Sequence, residues 1–359
     1  MKKELTADLT SLLSQYSHLF SNLRGNTYSG GSIKLIEDFE NIKPFKGDDF
    51  FEKFGVGNNH HSIDRPFERA IAYELLLTIL HKYDKDQYQL IHKGTPYFFI
   101  GWTAFQYMDF ERAIFYMDAA VSEDLRKAID KPKTKTPAID FMLFDTLSSA
   151  SGIIPIIQLN TIVSDSLKIF TTESGIRLGI KDFVKYFIRP LLFDDDKKSR
   201  SILTDLYCFF CEYEKIKRFI ELRSSEGGSI DPMLNHLFQG ARVLESLLTL
   251  KGKGSVLKQK IQNHKELMVN DALLDGHSTI SNALSRYDML KKDGKNFQDY
   301  NFVASYIIRN ATGHSLVWDD EFGDIKNYET LYKALVNSII WSIYKLWIDV
   351  THPNEPLKN

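Results

Sequence analysis

The segment SYIIRNATGHSLVWDD, residues 305–320, sets an arginine, an amide and an imidazole close together where an apolar helix face gives out. Arg309 is permanently charged and offers a planar fork of donors suited to phosphoryl oxygens. His314 has the pKa to take up and return a proton near neutrality. Asn310, next to the arginine, can hydrogen-bond a phosphate or orient the other two groups. Such a set suits in-line attack on a phosphodiester by an adjacent hydroxyl, with one group moving the proton and another offsetting charge on the phosphorane. No other arginine of this chain is followed by a histidine with four to six residues between.

The elements that must hold these side chains are helical. Tyr306, Ile307 and Ile308 end an apolar helix predicted over 297–310. Further helices are predicted over 201–224, 231–250, 254–268, 277–292 and 327–350, with glycines between them. No segment alternates with period two over a useful length, so the fold class is all-α, with a helical bundle at the C-terminal end. The same residues also fit an ordinary helix C-terminus. There Arg309 complements the dipole, Gly313 is a left-handed cap and His314 bonds a free carbonyl.

Arg309-Asn310-x-x-x-His314 resembles the R-x(4–6)-H motif of HEPN domains, including the polar residue that commonly follows the arginine. The resemblance covers about residues 201–359. The motif lies near the end of an all-α segment, and one more long helix, 327–350, follows it. HLFQGARVLESLLTL at 236–250 is similar to an early HEPN helix and supplies Glu245 as an acidic partner. The resemblance implies a metal-independent endoribonuclease that leaves 2′,3′-cyclic phosphate and 5′-OH ends, with no cofactor. It places such proteins in toxin–antitoxin pairs, abortive infection and CRISPR-linked antiviral defence. In this reading Arg309 binds and stabilises the phosphate, His314 is the general acid/base, Asn310 orients and Glu245 supports. Many family members pair two motifs across one cleft, so a homodimer is expected. The surplus of large side chains in YETLYKALVNSIIWSIYKLWIDV is expected to serve that interface. Some HEPN domains lack catalysis, so a silent domain that binds RNA or nucleotide is one alternative. A helical protein-interaction scaffold is the other.

Upstream, GTPYFFIGWTAFQYMDFERAIFYMDAAVSEDLRK at 94–127 reads as two amphipathic helices around a turn at Met108-Asp109. Small residues at Gly101, Ala113 and Ala120 mark where the two helices approach closely. This stretch resembles a tetratricopeptide repeat, with Tyr97, Ile100 and Gly101 in the first helix and Ala113 and Ala120 in the second. It departs from the pattern at Ala104, where a large aromatic is usual, and at Leu125, where proline is usual. The resemblance implies a helical module that binds a protein or ligand partner. The expected organisation is a tetratricopeptide-like region over 1–195 and a HEPN-like domain over 201–359. The charged stretch FDDDKKSRS at 193–201 forms the expected boundary. Asp64 with Pro66 predicts a helix start, running to about Tyr83. A first helix is predicted over 4–23, with loops over 24–63.

A chain of 359 residues is long for one simple core. A net charge of −2 provides no global basic field, so an RNA-binding surface must be local. The run KGKGSVLKQKIQNHK at 251–265 is a candidate, through Lys251, Lys253, Lys258 and Lys260; a solvated helix face is the other reading. His264 is expected on a helix surface. Cys208 and Cys211 in CFFC sit within a helical pattern with no second pair, which favours core over a redox or metal pair. His60 and His61 read as a solvated loop rather than a metal site, and Trp341 and Trp347 as packing for the last helix. No P-loop, H-E-x-x-H or dinucleotide fingerprint occurs. There is neither a secretory leader pattern nor an apolar run long enough to span a membrane, so a cytoplasmic protein is expected.

Overall fold

The computed structural model describes residues 66–83, 85–146, 153–222, 231–274, 276, 279–311 and 325–351. The regular elements among these residues are all helical, so the chain is all-α. It divides into two compact units, Met1–Ile157 and Gln158–Asn359. The helix predicted over 4–23 and the pair His60 and His61 lie outside the described residues.

In the first unit, α1 (Pro66–Tyr83) begins with its proline in the first turn, as Asp64-x-Pro66 predicts, and buries Tyr73, Leu76, Leu77 and Leu80. These fall at i, i+3, i+4 and i+7, the spacing that puts apolar side chains on one helical face. A short helix, α2 (Lys85–Leu90), leads into the hairpin of α3 (Gly94–Gln106) and α4 (Phe110–Lys127). Met108 turns the chain between them with φ of 59°. The predicted close approach is present: a Cβ on Gly101 would come within 2.8 Å of the Ala113 carbonyl oxygen. Ala113 and Ala120 are fully buried, and Phe105 and Phe110 meet edge to face across the turn. Then α5 (Pro137–Leu143) starts at Thr136, whose hydroxyl accepts a hydrogen bond from Ile139 N.

α6 (Ile153–Ser174) passes into the second unit, which continues with α7 (180–192). That helix holds a π-helical turn at Val184–Ile188. The charged stretch 193–201 lies inside this unit, joining α7 to α8 (Lys197–Leu222). α9 (Asp231–Lys251), α10 (Leu257–Asn263), α11 (Ile280–Lys292), α12 (Phe297–Ala311) and α13 (Ile325–Ile343) follow, the last extended by a second π-helical turn, Tyr344–Ile348. Gly294 takes φ of 67° just past α11, a left-handed conformation suited to glycine at a helix end.

α13 is the central helix of the unit. It packs against α9, α11 and α12 and buries Tyr328, Leu331, Tyr332, Leu335, Val336, Ile339, Ile340 and Ile343. The large side chains expected to serve a second copy of the chain are therefore used inside this unit, because neighbouring helices surround α13. Trp341 is buried and donates its indole N–H to Leu267 O, while Trp347 meets Phe187 edge to face. Both pack the last helix, as its sequence pattern predicts. Cys208 and Cys211 are free and buried on α8, and burial pushes the Cys211 thiol up. They are core side chains.

Polar groups also enter this core. His236 is buried beside the rings of Phe209 and Tyr332. Its Nε2 lies 2.7 Å from Phe209 O and its Nδ1 lies 2.8 Å from the Tyr328 hydroxyl. A carbonyl can only accept, so Nε2 carries the proton and Nδ1 accepts from Tyr328. Burial drives the His236 pKa down to about 4, so the ring is neutral at pH 7.

Candidate functional site

Three elements of the second unit converge on one carboxylate. Glu245, in the second half of α9, has Oε2 2.7 Å from Arg309 Nε and Oε1 3.0 Å from Lys260 Nζ. Arg309 stands in the last turn of α12, and Lys260 lies in α10. Each position has a local cause. Ile307 and Ile308 are fully buried on α12, which leaves the following residues, Arg309 and Asn310, half-buried at the edge of the core. Glu245 lies between Leu244 and Leu247, both buried, and so occupies the margin of the apolar face of α9.

Lys260 reaches inward because the chain reverses between α9 and α10. The reversal runs through Gly252 and Gly254, and a Cβ on Gly254 would come within 2.9 Å of Lys260 Cγ. This glycine thus leaves room for the lysine stem against the loop. The ammonium points at Glu245, and the residue is 8% exposed.

Burial by itself would raise the Glu245 pKa. The hydrogen bonds and charges of Arg309 and Lys260 outweigh that and hold its carboxyl below the ordinary carboxylate value. The carboxylate is ionised at neutral pH, and two cations share one anion, so the three groups together carry positive charge. The Nε bond to Glu245 sets the direction of the Arg309 side chain. Phe238 lies under the same arginine, with Arg309 Cζ 5.6 Å from the ring centroid.

The four candidate lysines of the 251–265 run, Lys251, Lys253, Lys258 and Lys260, have different environments. Lys251 and Lys253 are exposed, with Lys251 Nζ 4.9 Å from the Trp347 ring centroid. Lys258 donates to Leu274 O at 2.6 Å, and Lys260 is committed to Glu245. The run is not one solvated helix face, since α9 ends at Lys251 and α10 begins only at Leu257. His264 corrects its expected surface position. It is 6% exposed, with Nε2 2.9 Å from Leu248 O. A Cβ on Gly252 would come within 2.6 Å of that nitrogen, so the glycine makes room for the ring. The imidazole turns inward because a carbonyl near the end of α9 needs a donor.

Of the predicted catalytic set, Arg309 and Glu245 are in direct contact, and Asn310 is half-buried beside Arg309. His314 and Gly313 lie outside the described residues. Phe238 and Arg242, which the motif does not include, share a helix face with Glu245. A readable signal exists, because positions 238, 242 and 245 follow the i, i+4, i+7 spacing of one face. Among the described residues no group of three or more His, Cys, Asp and Glu side chains is arranged to hold a metal ion, and no helix is long and apolar enough to cross a membrane. Comparison with family models, curated proteins and solved structures yields no match to this chain.

Proposed function

We propose that this protein is an endoribonuclease of the HEPN type, with the second unit carrying the catalytic site and the first unit acting as a tetratricopeptide-like binding module. The observation that carries the reading is the pairing of Arg309 with Glu245. The arginine of the R-x4-H motif is aimed by a carboxylate from a different helix, and a second cation, Lys260, sits on the same carboxylate. A guanidinium used only as a helix cap needs no such support.

The chemistry follows from the groups. His314 takes the proton of a ribose 2′-OH as the 2′-oxygen attacks phosphorus. The bond from phosphorus to the 5′-oxygen breaks, and a proton returned by the same imidazole, or by that of a second subunit, neutralises the leaving oxygen. The products are a 2′,3′-cyclic phosphate and a 5′-OH. Arg309 offsets charge on the non-bridging oxygens, Asn310 orients the phosphate and Glu245 keeps Arg309 in place. Lys260 adds positive potential from behind the carboxylate. Lys251 and Lys253, both exposed, are available to a flanking RNA backbone. The active species in this reading is a homodimer, since one chain contributes one motif histidine while in-line cleavage has two proton transfers on opposite sides of phosphorus. A toxin or antiviral-defence role fits such an activity.

The test is cleavage of mixed single-stranded RNA in the presence of EDTA. Wild type should cut. Arg309→Ala and His314→Ala should each be slower by at least about a hundredfold with an unchanged helical spectrum. Binding without cleavage would instead identify a silent RNA-binding domain.

A further inference from the structure

Two guanidiniums lie near one aromatic ring at this site. Arg309 Cζ lies 5.6 Å from the Phe238 ring centroid, and Arg242 Cζ lies 6.0 Å from the same centroid. The two cations come from different helices, Arg309 from the end of α12 and Arg242 from α9. Their roles differ because their surroundings differ. Arg309 is half-buried and tied through Nε to Glu245. Arg242 is exposed, one turn before Glu245 on the same face of α9. Phe238 is half-buried, so its ring forms a floor at the surface rather than part of the inner core.

We propose that Arg242, laid over Phe238, is a stacking platform for one base of single-stranded RNA, the base of a nucleotide next to the phosphate held by Arg309. The inference rests on the nuclease reading of the site and adds to it the contact that reads the substrate. A guanidinium is planar and weakly hydrated; it can rest one face on an aromatic ring and offer the other to a base. Unpaired bases are recognised in this way, on aromatic rings or on arginine planes. A duplex keeps its base faces inside the stack, so this platform selects single strands, loops and bulges. Phe238 is the positioning residue beneath the platform and Arg242 the residue that touches the base. A lysine at 242 would keep the charge but could not stack as a plane.

The experiment is binding of a fluorescent 2′-O-methyl oligonucleotide, which has no free 2′-OH and cannot be cut by this chemistry. Wild type is compared with Arg242→Ala, Arg242→Lys and Phe238→Leu by anisotropy, and the oligonucleotide is scanned with a single abasic position. Arg242 is exposed, so its variants should keep the wild-type melting curve. The expected result is a loss of at least about fivefold in affinity for Arg242→Ala, the scale of one stacked base. Arg242→Lys should fail to restore it. At one abasic position wild type should bind no better than Arg242→Ala. Full affinity in Arg242→Lys would overturn the stacking role, because charge alone would then suffice. Equal affinity in wild type and Arg242→Ala, or no binding by wild type, would overturn it as well. The nuclease reading fails separately: a wild type that binds through Arg242 yet cuts no RNA sinks that reading and leaves the platform standing.

Discussion

Arg309 Nε lies 2.7 Å from Glu245 Oε2, joining the last turn of α12 to α9. That bond fixes where the motif arginine points, so its loss should be felt in the rate before it is felt in binding. Glu245→Gln keeps the shape of the side chain and removes its charge. It should lower kcat by roughly tenfold or more with KM nearly unchanged, since a misaimed electrostatic group costs transition-state stabilisation. Wild-type kcat in Glu245→Gln would show that Arg309 needs no carboxylate.

Glu245 also neutralises Lys260, whose side chain is only 9% exposed. Removing the carboxylate altogether leaves that ammonium nearly buried without its counter-ion. Glu245→Ala should therefore cost roughly 2 kcal/mol in urea unfolding, the scale of a lost charged hydrogen bond. The double variant Glu245→Ala, Lys260→Met should recover part of it. No recovery would mean that Lys260 finds another partner.

His236 gives the unfolding free energy a defined pH dependence. Its pKa falls from the ordinary 6.5 to about 4, first because burial disfavours the charged ring, with Lys215 adding to the effect and the bond to Phe209 O opposing it. The unfolded chain binds the proton more readily than the folded one. The stability this neutral histidine contributes is thus present above about pH 6.5 and is lost as pH falls toward 4, by on the order of 3 kcal/mol in all. Glu245, whose pKa is lowered from the ordinary 4.5, contributes stability that is lost as pH falls below that ordinary value. Urea unfolding of wild type and His236→Gln at pH 7.5, 6, 5 and 4.5 should show a gap between them that narrows steadily on acidification. A gap that stays constant over this range would contradict the assignment.

The helical hairpin of the first unit depends on Gly101. An alanine there gains about 1 kcal/mol of helix propensity, but its Cβ would sit 2.8 Å from the Ala113 carbonyl oxygen. Backbone cannot move aside cheaply, and overpacking of this kind costs about 1–3 kcal/mol. The clash wins, so Gly101→Ala should lower the midpoint of thermal unfolding. Gly179→Ala, with nothing near its Cβ, should change the unfolding free energy by no more than about 0.5 kcal/mol. A higher midpoint for Gly101→Ala would mean that the helices separate freely.

Local pattern made several of these features legible in sequence. Apolar spacing at 3.6 residues found α12 to within one residue at its end, and Pro66 marked the start of α1. Gly101, Ala113 and Ala120 marked the hairpin contact, because small residues at helical spacing mean close backbones. Glu245 was reachable from its place on an earlier helix of the same bundle. What local pattern could not carry was direction. A run of lysines looks solvated, and only the reversal at Gly252 and Gly254 turns Lys260 toward Glu245 and His264 toward Leu248 O. The last helix looked like one face with apolar surplus, yet its surplus is taken by neighbours on several sides, a fact of tertiary packing alone. Phe238 and Arg242 are unremarkable residue types until Arg309 arrives from another helix.

The central claim is metal-free cleavage at the motif, and the most direct measurement is the chemistry of the RNA ends. A defined single-stranded RNA is incubated in EDTA with wild type, Arg309→Ala or His314→Ala, and the products are resolved by mass spectrometry. Wild type should yield fragments ending in 2′,3′-cyclic phosphate paired with fragments beginning in 5′-OH. Both variants should yield at least about a hundredfold less. Fragments with 3′-OH and 5′-phosphate ends, activity abolished by EDTA, or undiminished cyclic-phosphate product from both variants would each contradict the account.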